Sequence, residues 1–190
     1  MLSLELNWDK RGWLIPVLPD TIAQLIDFLT YKTFVLSNPL SLHKTLKLKT
    51  VYITRRETFN AAHKLYNENW SEEKNEEVFG KCANANWHGH NFSIWVTVKG
   101  IPHPDTGFVI NLKDLSKIVK EYVVEPLDHR NLNLDVPFLK GILPSTENIA
   151  IEVWNIIEGP IKEKGGELAK IKLVETENNF VEYYGGNEPF

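Results

Sequence analysis

The stretch Gly80-Lys81-Cys82-Ala83-Asn84-Ala85-Asn86-Trp87-His88-Gly89-His90 sets the chain's single cysteine beside two histidines that are two residues apart. Beyond it, Phe92, Ile94, Val96 and Val98 alternate with Ser93, Trp95 and Thr97, the period-two pattern of a half-buried strand. Side chains at i and i+2 of a strand share a face, so a strand that begins by His88 points both imidazoles the same way. Gly89 carries no side chain and leaves room for a neighbouring backbone or a bound group.

Two imidazoles do not hold zinc alone, and a third ligand is needed. His63, at the end of Phe59-Asn60-Ala61-Ala62-His63, closes another strand-like run from Val51 to Phe59 and is the best candidate for it. His43 and His103 lie in less suitable settings, the latter between Pro102 and Pro104. Two arrangements stay open. His63, His88, His90 and Cys82 can close a tetrahedral structural site, or the three histidines can hold an ion with an open position while Cys82 stands nearby as a base.

Outward from these strands the pattern is α+β. A polar loop over residues 64–86 contains a short helix start with Ser71 as its cap. Leu112, Leu115, Ile118, Val119, Tyr122 and Val123 recur at helical spacing on one stripe. A second helix begins after Pro144 with Ser145 as cap, burying Ile149, Ala150, Val153, Trp154 and Ile157. Two last strands follow, over residues 168–176 and 180–184. Four antiparallel strands with two helices on one face leave sheet edges exposed, and oligomerisation is the usual remedy. Residues 1–48 read as an N-terminal extension of unassigned role, with a short apolar helix at about 21–29, ahead of a domain at 49–190.

With 190 residues, 43% hydrophobic and 24% charged, the chain can build a proper core. A net charge of -4 gives no electrostatic footprint for nucleic acid or anionic membrane. One cysteine rules out an internal disulfide and fits a reducing compartment. No segment reaches the ~20 apolar residues of a membrane span, and the start lacks the basic flank and cleavage site of a secretory signal. The expectation is a cytoplasmic protein.

Two further positions carry polar chemistry. Asp128-His129 falls between the helices, where a carboxylate that fixes an imidazole makes a proton shuttle, although local turn hydrogen bonds explain the same residues. Glu175 shares a strand face with Ile171 and Leu173, where an apolar residue belongs. A carboxylate there needs a partner, such as a heterocycle with two adjacent N–H donors, unless the strand simply emerges at the surface.

FNAAH at 59–63, FGKC at 79–82 followed by HGHN at 88–91, DHRNLNLDVPF at 128–138, PSTENIA at 144–150 and VETENNFVEYYG at 174–185 occur in this order. Together, from about Val51 to Gly186, they resemble the 6-pyruvoyl- and 6-carboxy-tetrahydropterin synthases of the tunnelling fold, or T-fold. The resemblance implies that His63, His88 and His90 hold a catalytic zinc, that Cys82 is the base, and that Asp128 and His129 complete a proton relay. It implies that Glu175 anchors the pterin ring and that Ser145, Thr146 and Glu147 line its pocket. It also implies trimeric rings of sheets closing into a barrel, doubled into a hexamer, with each site shared between subunits.

The implied reaction is elimination of triphosphate from 7,8-dihydroneopterin triphosphate with rearrangement to 6-pyruvoyl-tetrahydropterin, a carbon–oxygen lyase reaction. The 6-carboxy-tetrahydropterin synthases of queuosine and deazapurine biosynthesis usually have three residues between the cysteine and His-Gly-His, and the pyruvoyl-forming type five. Five separate Cys82 from His88, which favours the pyruvoyl product over the carboxy alternative. A reading of another class, a non-catalytic zinc- or pterin-binding protein, corresponds to the closed site. Trp87 departs from the glycine that many relatives carry before the first histidine, and residues 1–48 have no counterpart in the compact family pattern.

Overall fold

The computed structural model describes residues 49–186 together with two short strands, β1 (Leu6–Trp8) and β2 (Leu14–Pro16). The chain divides into two compact units, Met1–Lys49 and Thr50–Phe190. In the first, β1 and β2 pair antiparallel with Asn7 opposite Ile15. The helix expected at about 21–29 lies outside the described residues.

The second unit is organised by two long strands, β3 (Val51–His63) and β4 (His88–Gly100), paired antiparallel from Val51 opposite Gly100 to His63 opposite His88. Both strands run on past their apolar residues to include the histidines. The helix α1 (Glu72–Phe79) and a 3-10 turn (Gly80–Ala83) lie in the loop between them. Next come α2 (Leu112–Val119), a π-helical turn (Lys120–Val124) and α3 (Glu125–Leu127). After β5 (Arg130–Asn131) and a 3-10 turn (Pro137–Leu139) follow α4 (Thr146–Glu163), β6 (Glu167–Val174) and β7 (Phe180–Tyr183).

The sheet order is β5-β3-β4-β6-β7. Its four long strands are antiparallel as expected. The fifth, β5, adds a two-residue parallel pairing of Arg130 and Asn131 with Ala61 and Ala62. Nothing in two residues marks them as a strand, because what fixes them is the edge of β3.

One sheet face is apolar and covered by helices. Phe59 and Ala61 of β3, Phe92, Ile94, Val96 and Val98 of β4, and Ile171 and Leu173 of β6 are buried in one cluster with Leu115, Val119, Ile149, Val153 and Ile157. Each of the Val, Leu, Ile and Phe side chains contributes about 1.5–3 kcal/mol by leaving water. The stripe expected on the first helix is narrower than its spacing suggests: Leu112 at the helix start is 51% exposed and Tyr122 in the π-helical turn 39%. Both caps are as expected, with the Ser71 hydroxyl accepting from the Lys74 N–H and that of Ser145 from the Asn148 N–H.

The opposite sheet face carries Arg56, Trp95 and Lys172, with the Arg56 guanidinium 5.0 Å from the Trp95 ring centroid and the Lys172 ammonium 3.8 Å from that of Phe180. Among the described residues, no helix is long and apolar enough to cross a membrane.

Candidate functional site

Strand parity places the histidines. His63 continues the core face of β3 after Phe59 and Ala61, and His88 and His90 precede Phe92 on the core face of β4, so all three imidazoles extend the apolar face at one end of the sheet. The His63 and His90 rings both lie edge-on to Phe92, with centroids 5.8 and 5.6 Å away. Ligand nitrogens of the three histidines all lie within 4.8 Å of one another.

Their hydrogen bonds fit a cation. His63 Nδ1 lies 2.8 Å from the Pro144 carbonyl, which can only accept, so this nitrogen carries the proton and Nε2 turns its lone pair toward the cluster. That Nε2 is buried without a hydrogen-bond partner, as are both ring nitrogens of His88. Orphaned buried nitrogens are costly unless something occupies them, and neutral imidazoles around a common point are metal ligands. Desolvation holds all three histidines below their ordinary protonation range and outweighs the opposing attraction of the Glu175 carboxylate. The trio is thus neutral, the form that binds metal.

Glu175 follows β6 on the face of Ile171 and Leu173. Its Oε1 is 3.4 Å from His63 Nε2 and 3.6 Å from His90 Nε2. The groups that stand beside this carboxylate in the structure are the histidines of the cluster. A recess of about 430 Å³ beside it is lined by Cys82, Ser145, Thr146 and Glu147 with Glu175, Asn178, Asn179, Phe180 and Val181. The sequence-derived candidates Cys82, Ser145, Thr146, Glu147 and Glu175 thus meet in one cavity of the size that takes a small heterocycle.

Asp128 and His129 are paired, His129 Nδ1 lying 2.9 Å from Asp128 Oδ2. Adjacent residues reach each other here because His129 has φ 59, which turns its ring back, while its N–H donates to the Asn60 carbonyl. The Asn60 N–H donates to the other Asp128 oxygen at 2.7 Å, and this bond, followed by that of His129, holds the Asp128 carboxyl below its usual range. His129 is 80% exposed and lines a different groove, with Asn60, Gly89, His90, Asn91 and Arg130. Within one chain, then, Cys82 and His129 line separate cavities.

Two contributors escape a sequence reading. The Pro144 carbonyl that orients His63 is backbone and leaves no residue-type signal. Asn75 sits in the polar run Glu72–Phe79 yet is fully buried; its amide donates to the carbonyls of Asn67, Trp70 and Ser71, and its oxygen accepts from the Asn67 N–H. It ties down the loop that carries Cys82, whose carbonyl accepts from the Leu65 N–H. No strand or core pattern in the sequence predicts that burial, so only the folded loop reveals it.

The family profile described as 6-pyruvoyl tetrahydropterin synthase matches residues 52–186. The chain is 45% identical over 133 residues to the 6-pyruvoyl tetrahydrobiopterin synthase of Pongo abelii, covering 70% of this chain and 90% of that protein. It is 44% identical over 137 residues to the enzyme of the same name from Dictyostelium discoideum, covering 72% and 98%. The structure of Caenorhabditis elegans 6-pyruvoyl tetrahydropterin synthase superposes with a TM-score of 0.66 at 35% identity, covering 75% of this chain and all of that one. This chain belongs to the 6-pyruvoyl tetrahydropterin synthase family, and its second unit has that family's T-fold.

Proposed function

We propose that the chain is a zinc-dependent 6-pyruvoyl-tetrahydropterin synthase, a carbon–oxygen lyase that eliminates triphosphate from 7,8-dihydroneopterin triphosphate and rearranges the side chain. The observation that carries this reading is the meeting of Glu175 with the three-histidine cluster on one side and with the cavity of Cys82, Ser145, Thr146 and Glu147 on the other. The names of the similar proteins and the five-residue spacing between Cys82 and His88 support the pyruvoyl product.

His63, His88 and His90 hold the zinc, which supplies a Lewis acid that acidifies the substrate's side-chain hydroxyls. Glu175 accepts two N–H groups from the pterin edge and orients the ring, with Ser145, Thr146 and Glu147 lining the pocket. Cys82, as thiolate, takes a proton from side-chain carbon, and the Asp128–His129 pair delivers one elsewhere. Because that pair lines a separate groove, the relay is completed by a neighbouring copy of the chain in a trimer or hexamer. Among the described residues, the edge of β3 beyond the short β5 and the sheet face opposite the helices support such an assembly closing into a barrel. The lone free cysteine supports a reducing, cytoplasmic setting.

The test is to incubate zinc-loaded protein with 7,8-dihydroneopterin triphosphate and resolve products by chromatography and mass spectrometry. Triphosphate with 6-pyruvoyl-tetrahydropterin is expected. A carboxy-tetrahydropterin with acetaldehyde, or no turnover by zinc-loaded protein, overturns the reading.

A further inference from the structure

The proposed substrate makes two opposite demands on its site. Its pterin edge offers N–H donors that suit carboxylates, while its triphosphate carries several negative charges and needs cations. The cavity beside Cys82 meets the first demand alone. Among the described residues it is lined by the carboxylates Glu147 and Glu175 and by no lysine or arginine. The triphosphate must leave that cavity toward a cation held elsewhere.

Lys64, Lys81 and Arg130 directly adjoin the site residues His63, Cys82 and His129. The Lys64 ammonium is taken up by the rings of Tyr66 and Trp87, 4.3 and 5.3 Å away. Lys81 lines another cavity together with Glu72 and Glu76, whose charges offset its own. Arg130, by contrast, is exposed, and its guanidinium has no hydrogen bond or ion pair among the described residues. It lines the groove of His129 and His90.

The fold holds this arginine in place while leaving its charge unspent. Its backbone is fixed in β5, where it pairs with Ala61. The flanking carboxylates are committed to other groups: Asp128 accepts from the Asn60 N–H and pairs with His129, and Asp135 accepts from the Asn131 N–H. What remains is a planar fork of N–H donors, the geometry that takes two oxygens of one phosphate. Asn60 and Asn91 line the same groove and add neutral donors beside it.

In the assembly proposed above, His129 reaches Cys82 of the next copy, and Arg130 comes with it. We propose that Arg130 binds the triphosphate of the substrate whose pterin ring occupies the neighbouring copy's cavity. The inference rests on the reaction and the shared site given above, and it assigns the leaving group a residue of its own. A contact to the outer phosphates is made alike before and during the reaction, so it sets KM rather than kcat.

The experiment titrates the full, zinc-loaded chain with inorganic triphosphate by calorimetry and follows turnover of 7,8-dihydroneopterin triphosphate. Arg130→Gln is expected to weaken triphosphate binding and to raise KM by about 10–100-fold, the loss of a charge-assisted pair, with kcat within about threefold of the parent. Arg130→Lys, which keeps the charge and loses the fork, is expected to recover part of the affinity. Binding of 6-methylpterin, which has no phosphate, is expected to be the same in all three proteins, whereas a merely structural role would weaken it as well. Equal triphosphate affinity in parent and Arg130→Gln overturns the assignment, even where the parent turns substrate over. A parent that binds triphosphate through Arg130 and turns nothing over overturns the reaction and still supports the anion site.

The neighbouring copy's share is read by refolding Cys82→Ala with Arg130→Gln in equal amounts. A contact between copies gives roughly a quarter of sites an intact thiol and an intact arginine, and activity with the parental KM. Activity with only the raised KM places Arg130 and Cys82 in the site of one chain and overturns the shared arrangement.

Discussion

His63 and His88 are the last paired residues of the β3/β4 ladder, and their ring centroids lie 4.4 Å apart with no hydrogen bond between them. The longest strand pairing among the described residues therefore ends in a contact with unsatisfied nitrogens. Filling it with an ion is expected to stabilise the protein. At a free zinc concentration 100 times the dissociation constant the gain is about 2.7 kcal/mol, or a rise in Tm of roughly 5–10 °C. Calorimetry with and without a chelator measures it. His63→Ala is expected to abolish the response to zinc.

The same histidines set an acid limit for the metal-free protein. Each is held below its ordinary value of 6.5, chiefly by desolvation, so the unfolded chain binds protons that the folded chain refuses. Stability is therefore full above about pH 6.5 and is lost as pH falls from there through the lowered folded values. The Tm of the chelated protein, followed from pH 8 to pH 5, is expected to fall at the acid end. Replacing His63 by Asn is expected to flatten that fall.

Asn75 acts on Cys82 through the loop. Removing its side chain strands the Asn67 N–H and takes a donor from the carbonyls of Asn67, Trp70 and Ser71, at a cost of about 1–3 kcal/mol for the loop. Asn75→Ala is expected to lower kcat roughly 10–100-fold, because an ångström of misplacement at a reacting group costs about that much. Metal content, measured by elemental analysis, is expected to stay at the parental value because the histidines lie on strands outside the loop.

The separation of Cys82 from His129 within one chain makes a prediction about mixtures. Cys82→Ala and His129→Ala are each expected to be inactive as pure proteins. Unfolded together in equal amounts and refolded, they regenerate a complete site wherever an intact cysteine meets an intact histidine of the next copy, roughly a quarter of sites. Recovery of activity near that fraction is expected. No recovery would place the relay inside one chain.

Trp87 has φ 65, a conformation that costs a residue with a side chain about 1–2 kcal/mol. Its ring lies 5.3 Å from the Lys64 ammonium, which stands 4.3 Å from the Tyr66 ring, a contact of about 0.5–1 kcal/mol. Trp87→Ala keeps the strain and loses the ring, and its Tm is expected to fall by about 1–4 °C. Trp87→Gly sheds both, and its stability is expected to stay within about 1 kcal/mol of the parent. Thermal melts of the two variants separate strain from contact.

Much of this site is legible before folding because period two links residues to faces. His63, His88, His90 and Glu175 each interrupt an apolar alternation, and the sheet gathers all four at one end. The helix caps at Ser71 and Ser145 are equally readable, because a hydroxyl before a helical run has one common use. Long-range partners are not readable. β5 is a strand only because Ala61 and Ala62 offer it an edge, Asn75 is buried only because a loop closes over it, and the Pro144 carbonyl meets His63 across a large sequence gap. Nor does the spacing of Asp128 from Cys82 tell which copies of the chain they come from.

The Asn75-centred loop has a consequence for how such proteins diversify. Cys82 sits on a segment that binds part of its own backbone, leaving from His63 and returning to His88, the paired ends of two strands. The three histidines belong to the scaffold and the thiol to a detachable insert. A loop of different length or a different acid–base residue can be grafted between the same two histidines without rebuilding the sheet, so new chemistry on this scaffold is a matter of exchanging a cassette.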